Sequence, residues 1–247
     1  SYGLLGYLSG FHPLILSAWG SDVYYFPEKS KLNNQMIKFL LTRADVVCSS
    51  SNVMANHIQK KFNRNDVVVV PFGVDINYFK SDQKEPSNFT VGTIKSIEDH
   101  NGIECIIDAA KIIKQNYDKE IDFVIAGKGT LMNRMIKRVD DYDLKSNIKF
   151  LGFINHDQIV DHYNKLSIFV AVSLRESFGV SILEAASCSV PSITSNIGGL
   201  IEVNLHTKTG RVIEPNNPEQ LANEIIYFYE NEEIRKKMGN IARRRVE

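Results

Sequence analysis

At 247 residues and 43% hydrophobic content, the chain is long enough to bury one large core or two modest ones. Its 29 basic residues balance its 29 acidic ones, so no broad field of one sign marks a nucleic-acid binder. Three cysteines, Cys48, Cys105 and Cys188, have neither metal-ligand nor redox spacing. They read as reduced core thiols of a cytoplasmic protein, in which the sequon Asn88-Phe89-Thr90 carries no weight.

Taken in order, Leu14–Ala18 reads as a strand ending at Trp19-Gly20-Ser21-Asp22. Leu32–Leu41 reads as a helix, Asp45–Cys48 as a short strand, Asn52–Lys61 as a helix, and Val67–Val70 as a strand stopped by Pro71. The stretch Lys80–Asn88 is polar, contains Pro86 and reads as a linker. The rhythm then restarts. Strand signals cover Phe89–Ile94, Phe123–Ile125, Ile148–Phe150 and Ile168–Val172, with helices over Gly102–Gln115, Leu131–Val139 and His156–Asn164 between them. Val180–Ala186 continues as an apolar helix, followed by shorter strands at Ser192–Thr194 and Arg211–Ile213 and helices at Pro218–Tyr229 and Glu232–Arg245. Such alternation predicts an α/β protein with parallel sheets, divided into residues 1–79, a linker at 80–88, and residues 89–247. No apolar run reaches membrane-spanning length. Ser1 leads straight into apolar sequence, which reads as a start inside a domain.

The densest chemistry lies in Glu176-Ser177-Phe178-Gly179-Val180-Ser181-Ile182-Leu183-Glu184. Two carboxylates bracket a turn from a buried strand into a helix. Gly179 permits close backbone approach, and the first helix amides have no internal partner, which suits an anion. A phosphate held between two hydroxyl-binding carboxylates describes a sugar nucleotide. The competing reading makes Glu176 a cap and Glu184 a solvated side chain, but Glu184 sits within Ile182-Leu183-Glu184-Ala185-Ala186, a poor place for pure solvation.

Glu, seven residues, then Glu, with Phe-Gly following soon after the first, resembles the signature of the retaining family-4 (group 1) glycosyltransferases of GT-B fold. Later residues agree: Pro191-Ser192-Ile193-Thr194, Gly198-Gly199-Leu200-Ile201-Glu202 and Thr209-Gly210. The resemblance implies two Rossmann-like domains, the first incomplete here, with a nucleotide-sugar-binding second domain. It implies that Glu176 contacts the donor sugar, that Phe178, Gly179 and Val180 meet the diphosphate, and that Glu184 holds the ribose. It also implies a missing first half of the N-terminal domain and a missing closing helix after Glu247.

Further site residues follow from the open-sheet rule that ligands sit at carboxyl ends of strands. Gly92, Thr93 and Lys95 close the first strand of the second domain. The family commonly has an arginine where Thr93 stands and a lysine where Asn101 stands, which leaves Lys95 as the available cation or a solvated lysine. Gly127 and Lys128 form a close-approach turn in which Lys128 either reaches phosphate or stays in the loop. Phe153 either lies by the nucleobase or is core. Pro71-Phe72-Gly73-Val74-Asp75 matches the family's interdomain hinge. Trp19-Gly20-Ser21-Asp22 matches a His-Gly-x-Asp site, but Trp19 cannot do histidine's proton chemistry, and Asp22 either binds an acceptor hydroxyl or closes a turn.

No cofactor or metal is expected. Asp141-Tyr142-Asp143 imitates an Asp-x-Asp metal motif but follows a helix and lacks a third ligand. Arg243-Arg244-Arg245 with Lys236 and Lys237 reads as a solvated helix end or a contact with anionic lipid at the inner membrane face. The expected activity is that of a hexosyltransferase. It moves sugar from a UDP- or GDP-sugar to a glycan, lipid-linked or small-molecule acceptor, with the chain as given holding donor but transferring little. The alternatives are a GT-B epimerase or phosphorylase, and a non-catalytic nucleotide-sugar-binding fragment.

Overall fold

Strand and helix signals that alternate along the chain become, in the computed structural model, two parallel sheets with helical crossovers. The structure describes residues 2–84, 86–117 and 119–247, so residue 85 of the expected linker lies outside it. Two units emerge: Ser1–Phe72 with Glu176–Phe178, and Gly73–Arg175 with Gly179–Glu247.

The first unit contains α1 (Tyr2–Leu8), β1 (Ile15–Ala18), α2 (Ser21–Tyr24), α3 (Lys31–Arg43), β2 (Val46–Ser49), α4 (Asn52–Phe62) and β3 (Val67–Val69). Its strands lie in the order β1-β2-β3, all parallel, with Ile15 opposite Val46 and Val47 opposite Val67. Serines start both longer helices: Ser30 Oγ accepts from the Asn33 amide, and Ser51 Oγ from the Met54 amide. Asn63 ends α4 in the left-handed region at φ 58°. Helical spacing puts Met54, Ile58 and Phe62 on one stripe, which packs with Ile37, Leu41 and Val47 as this unit's core.

The second unit contains β4 (Thr90–Ile94), α5 (Ile103–Asn116), β5 (Asp122–Ala126), α6 (Met132–Asp141), β6 (Ile148–Gly152), α7 (Ile159–Asn164) and β7 (Ile168–Ala171). It continues with α8 (Val180–Ser187), β8 (Ser192–Ser195), α9 (Leu200–Val203), β9 (Gly210–Ile213), α10 (Pro218–Glu230) and α11 (Glu232–Val246). The sheet order is β6-β5-β4-β7-β8-β9, again parallel. Ile103, Ile106, Ile107, Ala110 and Ile113 of α5 bury one helical face against it. All four residues of β7 are buried, which is why that strand reads as a continuous apolar run.

Strand β8 is also wholly buried, although three of its four residues carry hydroxyls. Ser195 Oγ donates to Ser173 O, the Ser192 hydroxyl has no partner among the described residues, and Asn204 serves Thr194 together with neighbouring carbonyls. The Asn204 side-chain amide lies 3.2 Å from Ser192 O, 3.0 Å from Thr194 Oγ1 and 3.0 Å from Arg211 O.

Boundaries differ in a few places. The expected helix His156–Asn164 begins as a 3-10 turn over His156–Gln158 before α7. Three helices, α1, α2 and α9, had no counterpart in the sequence reading; two of them are only four residues long. Among the described residues no helix is long and apolar enough to cross a membrane.

Candidate functional site

Strand order reverses direction between β4 and β7, which pair through Val91–Ile168 and Gly92–Phe169. The connections leaving these two strands run to opposite sides, which makes their carboxyl ends the switch point where open α/β sheets take ligands. Thr93, Lys95, Gly127, Lys128 and Phe153 lie at or just beyond carboxyl ends of strands of this sheet, Gly92 is the middle residue of β4, and Gly179 and Val180 open the helix that follows β7.

Leu166 covers Gly92 so closely that a Cβ there would fall 2.3 Å from Leu166 Cδ2. Thr93 is 2% exposed, and its hydroxyl has no hydrogen-bond partner. Lys95 is half-buried, with its amide bonded to Ala126 O at 3.0 Å. Gly127 answers from the next strand. Its φ of 139° belongs to glycine, and a Cβ would meet Lys95 O at 1.9 Å.

The loops after β4 and β5 are stitched further by Ile97 N to Lys128 O at 3.0 Å and Leu131 N to Ile97 O at 3.1 Å. Glu98 closes the stitching by accepting from the Thr130 hydroxyl at 2.5 Å and the Thr130 amide at 2.9 Å. Those two donors hold the Glu98 carboxyl below its usual range. Asn101 turns its side chain back to Ser96, donating to its carbonyl and its hydroxyl at 2.8 Å each. Lys128 and Phe153 project outward, with Phe153 67% exposed.

Helix α8 starts at Gly179 (φ 103°) with no side-chain cap and no acidic residue in its first turn. Its leading amides are therefore not claimed by the chain's own side chains, the condition for an anion site. Ser173, in the loop leading there, is fully buried with an unpartnered hydroxyl. Further along α8, Glu184 is half-buried and accepts from the Tyr163 hydroxyl at 2.7 Å. Burial, then the Glu184 charge, pushes the Tyr163 phenol well above its ordinary range, so it stays a donor.

The remaining expected residues group with the first unit. Glu176 is half-buried, and its Oε1 accepts from the Ser177 amide at 3.3 Å. Phe178 is buried, edge-on to Phe72 with ring centroids 5.8 Å apart, and Ser51 Oγ donates to Ser177 O at 2.9 Å. Asp22 folds back on its own turn. Its carboxylate accepts from the amides of Trp19 at 3.1 Å and Gly20 at 2.8 Å. Trp19 is 68% exposed.

Elsewhere, Asp143 pairs with Lys114 at 2.9 Å, and among the described residues no three His, Cys, Asp or Glu side chains group as metal ligands. Arg243 is not a free helix-end charge: its guanidinium donates to Ile76 O, Phe79 O and Ser187 O. The sequence reading missed Tyr163, the Glu98–Thr130 latch and the Arg243 clamp. Each joins elements far apart in sequence, and no local spacing announces it.

With this geometry in view, comparison with known proteins is decisive. Residues 75–245 match the family of glycosyl transferases group 1, and residues 1–51 match the glycosyl transferase 4-like family. The chain belongs to the group 1 glycosyltransferases. It is 27% identical to an uncharacterized glycosyltransferase of Methanocaldococcus jannaschii, over 92% of this chain and 61% of that protein. It is 26% identical to the N-acetyl-alpha-D-glucosaminyl L-malate synthase of Bacillus anthracis, over 94% of this chain and 62% of that one. The chain thus spans about three-fifths of the length of these curated relatives. The Anabaena protein HepE, solved in complex with UDP and glucose, superposes with a TM-score of 0.87 at 22% identity, over 99% of this chain and 69% of its own. This group 1 glycosyltransferase accordingly has the α/β GT-B fold.

Proposed function

We propose that this group 1 glycosyltransferase moves a hexosyl unit from a UDP- or GDP-sugar to a hydroxyl of a glycan, lipid-linked or small-molecule acceptor, with retention at the anomeric carbon. The observation that carries the reading is the uncapped start of α8 at the switch-point end of the sheet, with a partnered carboxylate farther along the same helix. HepE's complex with UDP and glucose supports trying uridine donors first.

In this reading the acceptor oxygen bonds to the anomeric carbon as the bond from that carbon to the β-phosphate oxygen breaks. The nucleoside diphosphate leaves with the bonding pair, and the acceptor proton passes to the departing phosphate. Glu176 orients the donor sugar. The backbone at Phe178, Gly179 and Val180, with Lys95 and Lys128, stabilises the diphosphate's growing charge. Gly92 and Gly127, packed against Leu166 and the Lys95 carbonyl, hold the strand ends that carry the site, Thr93 lies beside them, Glu184 takes the ribose hydroxyls, and Phe153 meets the base. Asp22 shapes the acceptor side through its turn rather than as a free carboxylate. For a lipid-linked acceptor, the exposed Lys237, Arg244 and Arg245 supply a basic surface for an anionic inner membrane face.

The test incubates the protein with UDP- and GDP-sugars and candidate acceptors, then reads nucleotide release and the anomeric signal of the product by NMR. A glycoside with the donor's anomeric configuration is expected. An inverted glycoside, an epimerised sugar or a sugar phosphate in its place overturns the reading.

A further inference from the structure

We propose that Tyr163 is a positioning residue for the donor's ribose. Its hydroxyl fixes the Glu184 carboxylate through one oxygen, leaving the remaining lone pairs to accept from the ribose 2′- and 3′-hydroxyls. The inference rests on the reading of Glu184 as the ribose ligand.

Tyr163 has no exposed surface, and its hydroxyl lies 2.7 Å from Glu184 Oε2. Its ring is wedged edge-on between Phe169 of β7 at 5.5 Å and Phe79 at 6.1 Å. Both partners are themselves fixed: Phe169 is fully buried in the central strand, and Phe79 is 4% exposed with its carbonyl held by Arg243 at 2.9 Å. The ring therefore cannot swing away, and the hydroxyl presents a fixed donor to a side chain on a different helix. Phenylalanine would fill the same space without burying a polar atom, and burying a polar atom is costly unless it has a partner. A glutamate has three rotatable bonds, and ordering them at the moment of binding weakens binding. A donor that orders the carboxylate beforehand removes that cost.

A merely structural tyrosine would make the same hydrogen bond, so the test must read ribose recognition itself. UDP and GDP, with their 2′,3′-dideoxy analogues, are titrated calorimetrically into the unchanged protein, Tyr163→Phe, Glu184→Ala and the double variant. Thermal midpoints are recorded alongside. The unchanged protein should prefer ribose over dideoxyribose about tenfold, as expected for charge-assisted hydrogen bonds. Glu184→Ala should erase that preference. Tyr163→Phe should weaken the ribose nucleotides about three- to tenfold and leave the dideoxy analogues unchanged. The double variant should match Glu184→Ala, because Tyr163 acts through Glu184.

If Glu184→Ala erases the preference while Tyr163→Phe keeps it, the positioning role fails and the ribose reading stands. Equal weakening of both nucleotide types by Tyr163→Phe, whether from loosening or misfolding, also overturns the positioning role. If the unchanged protein shows no preference, or Glu184→Ala retains it, the ribose reading fails and takes the inference with it.

Discussion

Glu176 and Glu184 look alike in sequence, but their surroundings differ. Glu176 accepts from the adjacent amide of Ser177, whereas Glu184 is tied to a buried phenol. Different losses should follow. Glu176→Ala is expected to lower kcat more than it weakens binding of the bare nucleoside diphosphate. Glu184→Ala is expected to weaken that binding about tenfold, near the lower end of a hydrogen bond to a charged group. Steady-state kinetics and calorimetry on the same preparations separate the two. At Asp22 the sequence left two roles open, and the contacts to the Trp19 and Gly20 amides favour turn closure. Asp22→Ala should therefore cost about 1 kcal/mol in a denaturant titration, the usual loss of a capping side chain. Tyr163 was visible only as one residue of a predicted helix. Its tie to Glu184 crosses from α7 to α8, a relation that depends on packing and not on any periodicity.

At the scale of elements, the loops after β4 and β5 behave as one piece, because Gly127 sits against the carbonyl of Lys95 and Glu98 grips Thr130. Gly127→Ala combines an unfavourable φ with a backbone collision, so it should destabilise the protein by about 2 kcal/mol or more. It should also weaken diphosphate binding, since Lys95 must shift to make room. Chemical denaturation and nucleotide titration check the two halves of that expectation. Because α8 amides and lysines are the groups assigned to the diphosphate, nucleotide affinity measured by calorimetry should hold in EDTA. A loss restored by manganese would return attention to Asp141 and Asp143.

The long elements were legible because their apolar residues repeat at helix or strand spacing, as in Ile103, Ile106, Ile107 and Ile113 of α5. The four-residue α2 and α9 carry too few residues for a period to show. Burial of β8 was hidden by its serines and threonine. Only the fold reveals Asn204, from beyond the strand, reaching the Thr194 hydroxyl, and Ser195 Oγ donating to Ser173 O.

For the molecule as a whole, alternation of strands and helices pointed to parallel sheets, and the glutamate motif pointed to the family. Strand order was not readable, since nothing local tells β7 to lie beside β4 rather than β6. Two partly buried histidines give stability a pH dependence. Burial holds the imidazoles of His57 and His162 below the ordinary 6.5. The unfolded chain therefore binds protons first, so their contribution is complete above about 6.5 and is lost as pH falls through the folded values. Denaturant midpoints should decline as pH falls below the ordinary histidine range, and less so in a His57→Gln, His162→Gln variant.

The cysteines, read at the outset as reduced core thiols, become useful reporters because only Cys105 and Cys188 are buried. Burial pushes the thiols of Cys105 and Cys188 up to about 12, leaving a thiolate fraction on the order of 10⁻⁵ near neutrality. Both belong to the second unit, whereas the half-buried Cys48 belongs to the first. Alkylation at Cys48 should run ahead, and modification of the other two should wait for the second unit to open. Cys188 follows directly on α8, four residues beyond Glu184. A nucleotide gripped by that helix should therefore slow alkylation of Cys188 and leave that of Cys48 unchanged, so mass spectrometry can time occupancy without any label on the ligand.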